Sequence, residues 1–592
     1  MGPTLAVSEQ VHADKYRSDN ETFRAAATRI ADGMKDSQDH FYALRDILLD
    51  MRFLPAGRVQ AAVGSLRRVT PINCFVGRTI ADSMDGIMLA ATECAQTLRM
   101  GGGWGSDFST IRPRNELIRS LNSTASGPVS FMGVFNAVCG TVMSAGHRRG
   151  AMMGILRVDH PDILEFIRAK QIAPEVSPLW EMVAAMEDGR QKDTLHAALQ
   201  HTLRLTNFNV SVAITDEFMQ AVEADADFDL RFEGKTYSTV RAKDLWMEIM
   251  RSTWDWAEPG VVFIDTINRM NNLHYCETIA STNPCAEQPL PPFGACLLGS
   301  FNLVRYVYRG SDGYTFDHGQ FRTDIAHVVR GMDNVIDGAA YPLPEQKREE
   351  ISKRRMGLGV TGAANALEAL GHRYASDDFR AALTEILTIL RDEAYNASTQ
   401  LAEEKGAFEL FDERYLEVAF IQTLPRDIRE SIAAHGIRNS HLTSIAPTGT
   451  ISTTADNVSS GIEPVFAYEY DRLMNTPQGP QVFRMQDYGV ARFGVRGRTA
   501  LECSADDHVN VLCDTSGLVD SAVSKTCNVG PDVSWDQFRD IYFKAWRGGA
   551  KGCTTHRAEG NRKGILQAVG EAEPAGGACV IDPETGNRSC DQ

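Results

Sequence analysis

Through "ETFRAAATRIADGMKD" and "HFYALRDILLDMRFL", apolar residues recur three and four positions apart, the spacing of one helical face, so residues 1–50 read as helical. "LPAGRVQ" breaks that pattern. A short apolar segment around "INCFV" follows, and then a long amphipathic helix, "DSMDGIMLAATECAQTLRM", with Asp82 or Ser83 placed to cap it. The glycines of "GGGWGSDFS", residues 101–109, predict a loop, because glycine is costly inside a helix or strand. "NSTASGPVSFMGVFNAVCGTVMSAGHRRGAMMG" alternates loop and helix, and "DHPDILEFIRAK" opens a helix with a proline near its first turn.

"GVVFIDTIN", "LTSIAPTGTIS" and "VSKTCNV" supply strand-like pieces, separated by helices such as "FRAALTEILTILRDEAYNASTQLAEEK". Such alternation predicts an α/β architecture. Residues 171–204 are polar and helix-prone and interrupt the run between "FIRAK" and "LTNFNVSVAI", which marks a surface insertion. No internal repeat is present. From about residue 546 the chain turns Gly-rich and polar, and "EAEPAGGACVIDPETGNRSCDQ" has the makeup of a mobile tail. The expected organisation is a helical N-terminal region over 1–70, one large α/β unit over 71–545 and a tail over 546–592.

At 592 residues and 43% hydrophobic the chain can bury a large core. Its formal net charge of −17, with no run of five Lys or Arg, argues against a nucleic acid polymer as partner, since that affinity comes from a basic surface neutralising phosphates. Small anionic ligands stay possible, because helix N-termini and glycine-rich loops hold phosphate locally. No stretch approaches eighteen apolar residues and no basic-then-apolar leader opens the chain, so the expectation is a cytoplasmic protein without membrane contact. Gly2 is followed by alanine at the sixth position, which speaks against myristoylation. The 12 cysteines contain no C-x-x-C pair, giving a structural zinc site little support, and a cytosolic setting argues against a disulfide framework.

Two glycine-rich stretches compete as phosphate sites. "GLGVTG" at 357–362 fits G-x-G-x-x-G, but the charged "EEISKRRM" before it is no buried strand, so tight packing of a helix start is the better account. In "APTGTIS" at 446–452, backbone N–H groups and the hydroxyls of Thr448, Thr450 and Ser452 can converge on a phosphate; a plain strand-to-helix turn accounts for the same residues equally well.

"STNPCAEQPLPPFGACLLGSFNL", residues 281–303, places two thiols and an acid among prolines and glycines. Asn283, Cys285 and Glu287 alternate by two, so an extended backbone aims all three toward one side. A metal site fails for want of His and suitable spacing. A neighbouring carboxylate raises a thiol pKa and blunts it as a thiolate, but a one-electron role needs no thiolate, which points to radical chemistry.

Together with "INCFV", "GGGWGSDFSTIRP", "SGPVSFMGVF", "RRGAMMGILRVDHPDILEFI", "RRMGLGVTG", "APTGTIS" and "NVSSGIEPVFA", that stretch resembles the catalytic chain of ribonucleotide reductases, most closely the adenosylcobalamin-dependent class II enzymes. The matches run in order from about residue 52 to 555. The resemblance implies a ten-stranded α/β barrel whose central finger loop carries the radical cysteine, Cys285, at its tip. It implies that Cys285 abstracts the 3′ hydrogen of a ribonucleotide, that Glu287 takes the 3′-OH proton, and that Asn283 holds that hydroxyl. Cys74 and Cys296 match the reducing pair, which the fold must bring within about 7 Å Cα to Cα.

By the same resemblance, Pro447, Thr448, Gly449, Thr450, Ile451 and Ser452 match the substrate phosphate loop, and Asn73 and Gly103 the backbone contacts of the cleft. "ELIRSLNSTASG", with Ser126, and "GHRRGAMMG", with Arg148 and Arg149, correspond to loops carrying dNTP or ATP specificity signals at a homodimer interface. Cys579 and Cys590 correspond to a C-terminal shuttle pair, more widely spaced than usual, re-reduced by a thioredoxin- or glutaredoxin-like partner. The N-terminal region is short for an ATP-cone domain. The absence of a Tyr-Tyr pair near the C-terminus, of a glycyl-radical motif and of D-x-H-x-x-G fits a cobalamin radical source without a cobalt-ligating His. Two rivals remain: a class I chain needing a separate radical subunit, and a non-catalytic nucleotide-binding regulatory homologue. Diphosphates are the expected substrates, by analogy with longer class II relatives.

Overall fold

The computed structural model describes residues 2–557, apart from 19, 119–120, 143–149, 174, 187–188, 201, 477–478 and 531, together with 566–568. The helical reading of the first fifty residues holds as three helices, Ala6–Tyr16, Phe23–Met34 and Gln38–Leu49. Thr22 and Ser37 cap the second and third by accepting from Ala25 N and His40 N. Ala27, Ile30, Ala31 and Met34 of the second and Leu44, Ile47 and Leu48 of the third are buried, the faces that the periodicity marks. At the helix Met84–Arg99 the cap is Ser83, whose hydroxyl accepts from Gly86 N; Asp82 holds the guanidinium of Arg112 at 2.7 Å instead.

The principal strands are β1 (Phe53–Pro55), β2 (Cys74–Val76), β3 (Gly103–Asp107), β4 (Met152–Arg157), β5 (Phe208–Ile214), β6 (Gly260–Phe263), β7 (Ser281–Thr282), β8 (Pro289–Leu290), β9 (Ala295–Cys296), β10 (Leu298–Asn302), β11 (Gly357–Thr361), β12 (Thr526–Val529) and β13 (Gly552–Arg557). Eight of them form one sheet in the order β9-β2-β3-β4-β5-β6-β13-β12, and β1-β10-β11 form a second. β2 to β6 are parallel neighbours; β13 is antiparallel to β6 and parallel to β12, and β9 is antiparallel to β2. Single parallel bridges, Leu358 to Thr443 and Ile445 to Val523, link β11 through the 443–445 segment toward β12. β6 is buried at all four residues and β5 at six of seven, as expected of parallel strands covered on both faces.

Three expectations need correction. Gly103–Asp107 is not a loop but a strand inside the main sheet, where packing overrides the low strand propensity of glycine: a Cβ on Gly105 would collide with the carbonyl oxygen of Thr282. "GLGVTG" is the packing of a helix start only at its last residue, Gly362, which caps the helix Ala363–Ala369. Residues 357–361 are themselves the buried strand β11, and a Cβ on Gly359 would collide with the carbonyl oxygen of Ser444. The tail expected from residue 546 does not begin there, since Gly552–Arg557 pairs between β6 and β12. The 171–204 stretch holds two helices, Ser177–Ala184 and Arg190–Gln200, packed on each other.

Candidate active site

Cys285 sits at the turn of a hairpin. β7 and β8 pair antiparallel through Ser281–Leu290 and Thr282–Pro289, leaving residues 283–288 as the loop. The backbone N–H of Asn283 donates to Gln288 O at 3.0 Å, and Gln288 N donates to the Asn283 side-chain oxygen at 2.9 Å. Ala286 N donates to Asn283 O at 3.1 Å, closing a turn with Pro284 at its second position, where a fixed φ near −65° is wanted. Ala286 itself is left-handed, with φ of 64°. The premise of an extended backbone over Asn283, Cys285 and Glu287 is therefore incorrect: a tight turn joins them. Asn209, the second residue of β5, donates to Pro284 O at 2.9 Å and ties the tip to the sheet.

Burial is uneven along this loop. Asn283, Pro284 and Glu287 are buried, while Cys285 and Ala286 are half-buried. Glu287 is wholly buried, and burial pushes its carboxyl up to about 7, its own backbone and the Asn283 amide pulling the other way. Its carbonyl accepts from Ser444 Oγ at 3.0 Å and from Ala522 N at 2.9 Å, fixing the acid's position from two other segments. A carboxyl that titrates near neutrality can both take up and return a proton.

The fold brings the backbones of Cys74 and Cys296 into direct register. In the β2–β9 ladder they are direct antiparallel partners, for which the Cα separation is about 4.5–5.5 Å, inside the range a disulfide spans. Gly103 is the parallel partner of Cys74, and a Cβ there would lie 2.9 Å from the Cys74 sulfur and 3.0 Å from Pro284 Cγ. The missing side chain thus lets the hairpin tip and the Cys74 thiol approach one another. Asn73, one residue earlier, accepts from Gly103 N at 2.8 Å, and its buried side-chain oxygen has no hydrogen-bond partner.

The 447–452 segment opens the helix Gly449–Thr454. Thr448 is left-handed, and its hydroxyl is engaged with Thr361 Oγ1 at 2.9 Å and accepts from Gly461 N at 2.7 Å. Ser452 Oγ bonds Gly449 O and Ser460 Oγ, each at 3.1 Å. These two hydroxyls hold the loop's shape, and Ile451 is core. Only the Thr450 hydroxyl, buried and without a partner, fits the expectation of a side chain aimed at a phosphate. The backbone N–H groups at the start of a helix complete such a cradle. Buried polar atoms without partners recur at Asn73, Ser281, Gln288 and Thr450, and in native structures such groups mark a place where a ligand or water supplies the missing bond.

Residues 72–487 and 496–556 match the family model "Ribonucleotide reductase, barrel domain". The chain belongs to the ribonucleotide reductase family. The vitamin B12-dependent ribonucleoside-diphosphate reductase of Mycobacterium tuberculosis (strain CDC 1551 / Oshkosh) is 34% identical over 551 residues, covering 88% of this chain and 72% of that one. A protein of the same name from Thermoplasma acidophilum is 32% identical over 529 residues, covering 84% of this chain and 63% of its own. The ribonucleoside-diphosphate reductase subunit alpha of Chlamydia pneumoniae is 26% identical over 490 residues, 76% of this chain and 46% of the relative.

Within this reductase chain the structure gathers Asn283, Cys285, Glu287, Cys74, Gly103 and Asn73 around the hairpin, together with the backbone of Cys296. Ser126 is exposed, two residues before the helix Pro128–Thr141. Arg148, Arg149, Cys579 and Cys590 lie outside the described residues. Sequence reading missed Asn209, Ser281, Gln288 and Ser444. An asparagine inside the mainly apolar "FNVSVAI" strand is the one signal that points to the first. Among the described residues no group of three or more His, Cys, Asp or Glu is placed to hold a metal ion, and no helix is long and apolar enough to cross a membrane.

Proposed function

We propose that the chain reduces ribonucleoside diphosphates to 2′-deoxyribonucleotides, with a thiyl radical on Cys285 that depends on adenosylcobalamin. The reading is supported by family membership and by relatives named as vitamin B12-dependent reductases. The observation that carries it is the half-buried Cys285 at a hairpin tip, beside a buried carboxyl poised near 7 and next to a pair of cysteines in direct register. Cobalamin holds its metal in its own ring, so it asks for no protein ligand set of the His/Cys/Asp/Glu kind. The half-buried Cys285 and Ala286 are the residues it would meet. When bound, the cofactor supplies the one-electron oxidation of the thiol by homolysis of its cobalt–carbon bond.

The remaining steps belong to the chain. Cys285 takes the 3′ hydrogen, Asn283 holds the 3′-OH and Glu287 accepts its proton. One of Cys74 and Cys296 protonates the 2′-OH, which leaves as water; the pair's second hydrogen is delivered to C2′ as the two thiols become one disulfide, and Glu287 gives its proton back to the 3′-oxygen. Cys285 returns the hydrogen at the close. The Gly449–Thr454 helix start and Thr450 receive the diphosphate, with Asn73 and Gly103 lining the sugar side. Cys579 and Cys590 relay electrons from a thioredoxin- or glutaredoxin-like donor. The loops around Ser126 and around Arg148 and Arg149 carry effector signals in a cytoplasmic homodimer.

The barrel belongs to the same proposal. Five parallel strands, β2 to β6, meet a second parallel series formed by β10, β11, the 443–445 segment, 523–529 and β13; the series join antiparallel at β6–β13 and at β2–β9, whose chain runs on into β10. A helical region over 1–70 precedes this ten-stranded barrel. The deciding assay is deoxycytidine diphosphate formation from CDP by the purified chain with dithiothreitol, with and without adenosylcobalamin and with no second protein. Cobalamin-dependent product is expected. Turnover without cobalamin, or none with it, overturns the proposal.

A further inference from the structure

The helix that opens at the phosphate loop does not end freely. Its last turn is held by the N-terminal segment of the chain, more than four hundred residues away. Ser8, wholly buried on the helix Ala6–Tyr16, donates its hydroxyl to Thr453 O at 2.7 Å. Asp456, two residues past the end of the loop helix, accepts from Thr4 N at 2.7 Å and Leu5 N at 2.9 Å, and its other oxygen accepts from Thr4 Oγ1 at 2.7 Å. The carboxylate thereby satisfies N–H groups at the start of the N-terminal helix, where a negative charge is favoured.

The chain at this junction is strained. Asp456 and Asn457 are consecutive left-handed residues with φ of 61° and 60°, a conformation that persists only where its surroundings impose it. Those surroundings are specific. Asn457 Nδ2 donates to Gln486 O at 2.9 Å, Tyr470 OH donates to Asn457 Oδ1 at 2.7 Å, and Arg472 donates to Thr453 Oγ1 at 2.6 Å. Arg492 faces both Asp456 and the Thr4 hydroxyl. A helix of only six residues has little rigidity of its own, so the direction of its first N–H groups depends on what clamps its far end.

We propose that Asp456 and Ser8 are positioning residues for the substrate phosphates: through them the N-terminal segment sets the orientation of the Gly449–Thr454 helix. The proposal rests on the reading of residues 447–452 as the phosphate loop. Neither side chain touches substrate.

Asp456→Ala, Asp456→Asn, Ser8→Ala and Thr450→Val are compared as full-length chains with adenosylcobalamin, for KM and kcat with CDP, for Kd of CDP and of cytidine by equilibrium dialysis, and for thermal midpoint. Asp456→Ala and Ser8→Ala are expected to raise KM and Kd for CDP by about five- to tenfold with kcat within about twofold, leaving cytidine binding unchanged. Asp456→Asn, which keeps an acceptor oxygen, restores most of the loss. If Thr450→Val weakens CDP binding while Asp456→Ala and Ser8→Ala, both folded, bind CDP as the parent does, the clamp is refuted and the loop assignment stands. If none of the variants affects CDP, the loop assignment fails and takes the clamp with it. Equal weakening of CDP and cytidine also refutes it, since a general loss of structure does not single out phosphate.

Discussion

Glu287 concentrates the chemistry of the hairpin in one titration. An unfolded glutamate releases its proton near the ordinary carboxylate value, while the folded chain holds it to about 7, so folding binds a proton across that interval. Glu287 therefore lends stability at low pH that is lost as pH rises through 7. Replacing it by Gln removes this dependence: relative to the parent, Glu287→Gln gains up to about 3 kcal/mol between pH 5 and pH 8, read from urea midpoints of both proteins. The same substitution is expected to lower kcat by about 10²- to 10⁴-fold and to abolish an acidic limb near pH 7 in the rate profile. A rate unchanged by Glu287→Gln removes the acid from the mechanism. At this scale residue types were readable from sequence, since a thiol, an amide and an acid in "NPCAEQ" announce themselves. The turn that juxtaposes them was not, because it depends on Asn209 of β5 and on Ser444 and Ala522, contacts that local spacing does not encode.

At the level of elements, the two glycine-rich stretches explain where propensity fails. Gly105 and Gly359 lie in strands because neighbouring backbone approaches too closely for any Cβ, a requirement set by partners far away in the chain. Gly105→Ala is expected to cost about 1–3 kcal/mol and most of the activity, by pushing on the β7–β8 hairpin. Gly133, exposed in the helix Pro128–Thr141 with nothing near its Cβ position, is the contrast: Gly133→Ala should stabilise by about 0.5–1 kcal/mol. Chemical denaturation of the two variants side by side checks both signs. The β2–β9 ladder makes a further prediction, that mild oxidation of the reduced protein forms a Cys74–Cys296 disulfide detectable by peptide mapping. Its absence after full oxidation argues against the pair. The helices at 23–34, 38–49 and 84–99 were legible because each carries both an apolar stripe and a capping hydroxyl; short buried strands such as β9 carry neither.

Across the whole molecule, buried charge joins segments that the hydrophobic pattern cannot. Within the charged "EEISKRRM" stretch, Lys353 and Arg355 are buried against Glu277, and Arg354 against Asp333 at 2.8 Å. Burial pushes the Glu277 carboxyl up, but Arg355 and Lys353 outweigh it and hold the group below its ordinary value. Glu277→Gln leaves Lys353 and Arg355 sharing Glu349 alone and should cost about 3 kcal/mol at neutral pH, measured by urea denaturation. That penalty shrinks as acid protonates the parent's carboxyl.

The place of β13 has a consequence for how such a chain is made. The strand that pairs with both β6 and β12 is the last of the main sheet to leave a ribosome, and until it does, β6 and β12 each present an unpaired edge. A nascent chain thus passes most of its synthesis with the main sheet unfinished and two adhesive rims open. Products of premature termination before residue 552 should accumulate as aggregates rather than as soluble fragments. The burden on chaperones would fall on the interval before residues 552–557 emerge, when every other strand of the main sheet is already made.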